Sequence, residues 1–212
     1  MASCDLEVGN ARQGVADGVL TLSRAGKTGE QVVGVAHGEF YEAASRGVMW
    51  SACTAVSGVA PGTALGTTSA FYLHNPVNSG KLLVLLTASM GYLSGTLGAG
   101  SAYLTTHAGV AVANPTGTAI TARNGLIGSA AAGVALAFTT ATVTTQVPLR
   151  PLWSFGAALA TSVYQPTACK EQFNGEFVIY PGFGVGLHSI AAAGTSPLVL
   201  FGASWEEVPL IG

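Results

Sequence analysis

Charge is what this sequence has least of. Of its 212 residues, 8% are Asp, Glu, Lys or Arg, against about 25% in an ordinary globular domain. Eight cations and ten anions leave a net charge of −2. There is no basic field to recruit nucleic acid or an acidic lipid surface, which argues against either partner. A chain of this length exposes roughly 9,000 Å² as a monomer, and its charged side chains would cover only about a fifth of that. The rest is Ser, Thr, Gly and backbone, or it is covered by other subunits. Large uncovered apolar patches mark interaction surfaces, so the composition predicts an obligate assembly.

Carboxylates are missing where chemistry would need them. No Asp or Glu lies between Glu42 and Glu171, and no Asp follows Asp17. A glycosidase needs two facing carboxylates, and the adjacent Glu206 and Glu207 would point to opposite faces of a strand. The histidines His37, His74, His107 and His188 are isolated from one another, which is not the clustering of a metal site. No nucleophile elbow, zinc-protease helix, phosphate loop or calcium loop is present. The expectation is a protein that is not an enzyme and has no cofactor and no metal. Cys4, Cys53 and Cys169 are odd in number and widely spaced, as incidental thiols are. The first residues, MASCDLEVGNARQG, lack an apolar run, so no secretory signal is expected and synthesis belongs in a reducing cytosol. Residues 126–143 are uncharged. They are rich in Ala and Thr and alternate at Val134, Leu136 and Phe138, which suits a strand better than a membrane helix.

What the chain does have is strand signal, repeated every 10–16 residues. Its last fifth reads as three runs, 177–180, 183–192 and 198–208, divided by Pro181-Gly182 and by Gly194-Thr195-Ser196-Pro197. Proline presets one turn dihedral and glycine accepts positive φ. Both faces of the last two runs are apolar or small. They are expected to form a closing hairpin inside a sheet, with Leu200 buried. Upstream, 48–57, 65–74, 81–92, 101–106 and 116–122 read as strands. Residues 133–146 read as one long strand whose alternation slips at Thr139-Thr140, the mark of a bulge. Pro148 and Pro151 read as breakers ahead of a strand over 152–164, and 169–175 as a polar loop. Together these predict an all-β fold, an antiparallel β-sandwich of jelly-roll type with eight to ten strands.

The first quarter differs in character. Ten of the eighteen charges lie before Gly47. Residues 17–24 and 30–36 are short strand-like runs joined by a glycine-containing loop, as in a hairpin. This divides the chain into an extended N-terminal arm, 1–46, and a sandwich body, 47–212.

Four segments resemble recurring stretches in structural proteins of tailed bacteriophages. They are HGEFYEAASRG (37–47), NPVNSGKLLVLL (75–86), GYLSGTLGAG (91–100) and GTSPLVLFGASWEEVP (194–209). The motifs are structural turns and sheet closures, so the resemblance carries no catalytic residue across. It implies a virion protein with a jelly-roll body, most simply a capsid decoration (cement) protein assembled in the host cytoplasm as a homotrimer on the major capsid protein. A tail or head-fibre component with a receptor-binding role is the alternative, ahead of a lectin or adhesin. On this reading Arg24, Lys27, Glu39, Tyr41 and Arg46 are candidates for the shell contact, and Trp153, Phe183, His188 and Trp205 for the contact between subunits.

Overall fold

In the computed structural model of the chain, residues 38–107, 111–144, 146–155, 168–190 and 194–210 are described. The chain divides into two compact units, Met1–Tyr41 and Glu42–Gly212. The expected strands at 17–24 and 30–36, with Arg24 and Lys27, lie outside the described residues.

The elements in order are a helical turn α1 (Tyr41–Ser45) and then strands β1 (Met49–Cys53), β2 (Thr68–His74), β3 (Lys81–Ser94), β4 (Gly100–His107), β5 (Thr116–Ile120), β6 (Arg123–Asn124), β7 (Leu136–Thr142), β8 (Gln146–Phe155), β9 (Ala168–Ile179), β10 (Gly184–Ile190) and β11 (Leu198–Pro209). Two antiparallel sheets pack face to face. Sheet 1 has the order β6-β1-β11-β3-β9 and sheet 2 the order β5-β7-β2-β10-β4-β8. With β5 to β7 set aside, every connection crosses from one sheet to the other except β4 to β8. The fold is an all-β sandwich.

The core fills the space between the sheets. Sheet 1 supplies Leu83, Leu85, Val199, Phe201 and Trp205, and sheet 2 supplies Phe71, Leu73 and Leu104, all at most 1% exposed. Each such burial contributes about 1.5–3 kcal/mol. In β3 the inward residues change parity, from Leu83 and Leu85 to Ala88 and Met90. A one-residue slip does this: Leu85 and Thr87 face consecutive residues of β11, Trp205 and Ser204, and Leu86 is the extra residue. The bulge buries Leu86 next to Leu85, while Leu82 and Val84 are half-buried on the outward face, so KLLVLL is apolar on both faces. In β11 the inward set is Val199, Phe201, Ala203, Trp205 and Glu207, whereas Leu200 faces outward and is half-buried.

Several expectations are corrected. β10 and β11 do not form a hairpin. β10 lies between β2 and β4 and β11 between β1 and β3, in different sheets. The run 133–146 is interrupted: β7 ends at Thr142 and β8 begins at Gln146. Thr140 has φ 48°, and the β5–β7 register slips beside it, where the sequence alternation slips as well. β8 runs through Pro148 and Pro151 instead of starting after them. Both prolines sit on the free edge of sheet 2 at register shifts against β4, where a missing N–H costs no ladder bond. Residues 169–175 are strand, not loop, because β9 edges sheet 1 and accommodates its polar residues there. Asn174 (φ 48°) and Gly175 (φ 86°) form a bulge opposite the Leu85–Thr87 slip.

Candidate functional site

The two flanks of the sandwich are built differently. On one, the chain itself bridges the sheets: 121–122 leads from β5 in sheet 2 to β6 in sheet 1, and 133–135 leads back toward β7. Glu207 secures that return. Its carboxylate, 1% exposed, accepts from Val134 N at 2.8 Å and Ala135 N at 3.1 Å, and pairs with Lys81 Nζ at 3.1 Å. Glu206 and Glu207 do point apart, and Glu207 serves as this clamp.

Among the described residues the other flank is open. It is lined by β8 and β9, which edge sheets 2 and 1. Arg150 on β8 spans them. It pairs with Glu171 at 3.0 Å and with Glu176, both on β9, and lies 5.9 Å above the Phe173 ring. Beside it a groove of about 360 Å³ is lined by Leu149, Phe177, Val178, Tyr180 and Phe183, with Thr106 at its floor. Val178 is 53% and Tyr180 56% exposed. Val178 lies on β9 past the bulge and Tyr180 directly follows the strand.

Sheet 2 has a further feature on its outer face, a row of buried rings. β10 is the central strand there and carries Gly184 and Gly186, which face His74 and Tyr72 of β2. A Cβ on Gly184 would stand 2.5 Å from the Leu73 carbonyl and 2.6 Å from the Tyr72 ring. The missing side chain of Gly184 lets Tyr72 reach across β10 to β4, where its hydroxyl lies 2.7 Å from Nδ1 of His107. His74 stacks on Tyr72, and His107 stacks on Phe183 at 5.2 Å. Farther along β10, His188 donates from Nε2 to the Ala64 carbonyl. Thr105 and Gln146 join at 2.6 Å. Burial pushes the His74 imidazole down to about 4, assisted by His107, with Asn114 pulling weakly the other way. Burial lowers His188 as well, against its backbone hydrogen bond, and raises the Tyr72 phenol. No carboxylate lies on any strand of sheet 2, and Arg150 is its only charged side chain among the described residues.

On the outer face of sheet 1, small side chains (Ser51, Cys53, Thr87, Ser89, Ser204) leave a shallow depression of about 430 Å³, with Arg123 at its side. Thr87 and Ser204 share a hydrogen bond at 2.6 Å across it.

The sequence candidates are dispersed. Glu39, Tyr41 and Arg46 are exposed around α1. Trp205 is fully buried in the core and His188 is 5% exposed, so neither presents a surface to a neighbour, and both are withdrawn from the list of subunit contacts. An apolar residue on a strand reads the same from sequence whether it faces core or partner. Trp153 is half-buried against the core, opposite Ala102. Phe183 alone of the four lines the open groove. Leu149, Val178 and Tyr180, which the sequence reading passed over, complete it. Their only signal was apolar residues in a segment otherwise charged or proline-bearing. Among the described residues no three His, Cys, Asp or Glu are placed to hold a metal ion, and no helix is long and apolar enough to cross a membrane.

No family model matches the chain, and no curated protein or solved structure matches it.

Proposed function

We propose that this is a structural virion protein, a capsid decoration protein that binds and stabilises a phage head as a homotrimer. The observation that carries the reading is the cluster of large apolar residues exposed on the open flank, beside a sheet whose six strands hold one charged side chain among the described residues. The outer face of sheet 2 lies under the chain's own loops, so it is the flank that is suited to burial against another chain. The strand order supports it: with β5 to β7 set aside, the first strand pairs with the last and successive strands cross between sheets except β4 to β8, as expected of a jelly roll, an architecture common in viral capsid proteins. On that reading β5 to β7 are an insertion that widens both sheets.

A tail or head-fibre component is the second reading. The aromatic residues Phe177, Tyr180 and Phe183 in one groove favour it, since receptor sites are concave and apolar with aromatic linings. Counting copies in purified particles by quantitative mass spectrometry, relative to the shell protein, separates the two. Hundreds of copies mean a decoration protein and a handful mean a tail part. Absence from the particle overturns both.

A further inference from the structure

We infer that the open flank formed by β8 and β9 is the surface on which a second copy of this chain docks, through the groove lined by Leu149, Phe177, Val178, Tyr180 and Phe183. The inference rests on the assembly reading above and adds where the copies meet.

The occupant follows from the size, edges and charge of the flank. β8 has ten residues and so spans about 33 Å, and the two packed sheets lie about 10 Å apart. Allowing about 5 Å of side chain beyond each sheet, the whole flank, its Arg150 ion pairs included, is about 20 Å wide and about 700 Å² in area. That is close to the roughly 800 Å² per partner that a stable protein–protein interface needs.

The edges forbid one kind of contact and leave another. Pro148 and Pro151 remove N–H donors from the rim of β8, and the Asn174-Gly175 bulge breaks the rim of β9. Neither edge can continue its sheet into a neighbour's, so open-ended strand addition is blocked. Contact through side chains remains, and the side chains at hand are apolar.

The flank's charges are Arg150 and Lys170 against Glu171 and Glu176. Two of each sign cancel, so the flank carries no net charge to repel a neighbouring copy in a ring of three, whereas nothing here selects a strongly charged partner. A glycan would need several converging polar groups. Among the groove side chains only Thr106 and Tyr180 offer a hydroxyl.

The test is sedimentation velocity on the full chain and on the Val178→Glu/Tyr180→Glu variant. Both positions are more than half exposed, so circular dichroism and the melting temperature should match wild type. Ile127→Glu serves as control, 90% exposed in the loop after β6 on the bridged flank. The expected result is an oligomer for wild type and control, and a folded monomer for the double variant over a concentration range of at least a hundredfold. A folded double variant that still assembles overturns the flank as the contact and leaves the assembly reading standing. A wild-type monomer at every concentration overturns both. Should the double variant fail to fold, hydrogen exchange on wild type decides. Protection over residues 176–183 that rises with protein concentration supports the contact, and protection that does not change refutes it.

Discussion

Acid should loosen this protein before its carboxylates titrate, and His74 is the reason. The imidazole is fully buried on the outer face of sheet 2. It is stacked on Tyr72 from its own strand, beside His107 from β4 and Asn114 from the loop before β5. None of these can act as a counter-ion, and sheet 2 has no carboxylate. The neutral form is therefore the native form, with a pKa of about 4 against 6.5 in a solvated chain. Above pH 7 both folded and unfolded states hold a neutral ring, and this group adds no pH dependence. As pH falls below 6.5 the unfolded chain takes up a proton that the folded chain refuses, so stability drops with falling pH and levels off below about 4. The linkage integral gives a loss of about 2 kcal/mol by pH 5 and about 3 kcal/mol by pH 4. His188, shifted in the same direction by burial, adds to the slope.

The perturbation is His74→Phe, which keeps a flat ring on Tyr72 and removes the proton site. Urea unfolding of wild type and variant at pH 7.5, 6 and 5, at one protein concentration so that assembly contributes equally, gives the midpoints. Surface carboxylates add little above pH 5. Wild type should lose about 2 kcal/mol more than the variant between pH 7.5 and 5. Equal losses in the two proteins would refute the argument, because burial of His74 would then carry no titration cost.

Replacing Glu207 with Ala strands the Val134 and Ala135 N–H groups and leaves the part-exposed Lys81 ammonium to solvent, and should cost about 2–5 kcal/mol in thermal unfolding; a loss under about 1 kcal/mol would mean the carboxylate does not secure the bridged flank. Val199→Asp should give insoluble protein, since it puts an unpaired charge at a fully buried position, whereas Leu200→Ser, on the outward face, should stay within about 1 kcal/mol of wild type; the reverse outcome in soluble yield would invert the assigned faces of β11. Gly184→Ala drives a methyl into the Leu73 carbonyl and the Tyr72 ring, so a drop of about 2 kcal/mol or more is expected, and an unchanged melting temperature would show that the ring row can shift to admit it.

How much of this was legible in the residues depends on whether a property is local. The strands at 81–92 and 198–208 were, because a long apolar run bounded by glycine and turn residues leaves little choice. The bulge at Thr140 was legible too, since it shows as a broken alternation. Pairing was not. Whether β10 and β11 meet each other or cross to opposite sheets depends on what β1 to β4 leave unpaired, and no spacing within the last fifth encodes that. The prolines of β8 misled for a related reason. A proline forbids a central strand and permits an edge strand, and edge status is a fact about the sheet, not about the tripeptide. The same holds for the candidate contacts: Trp205 and Phe183 are both aromatics in strand-like runs, and only the packed sandwich shows that one is core and the other lines a groove.

The glycines of β10 join these threads. From sequence, GFGVG reads as turn and close packing, and the packing is real but serves a particular arrangement. By removing two side chains from the middle strand, Gly184 and Gly186 make a trough across sheet 2: the Tyr72 ring, joined to His74 and His107, fills it at Gly184, and Ser69, Thr105 and Gln146 fill it at Gly186. Polar rings take the place of an aliphatic layer, and residues 59–67 and 111–115 bond to what surrounds them: Ala64 to His188, Gly66 to Gln146, Val112 to Gly182. An uncharged sheet face can thus be buried under loops without a second sheet or a helix to cover it. The loops then depend on neutral histidines, which ties the acid sensitivity of this face to the scarcity of charge with which the sequence began. Phe183 marks where the two features touch, since its ring stacks on His107 and the residue also lines the open groove. A change in the ring row therefore has a direct mechanical route to the surface on which assembly is proposed to depend.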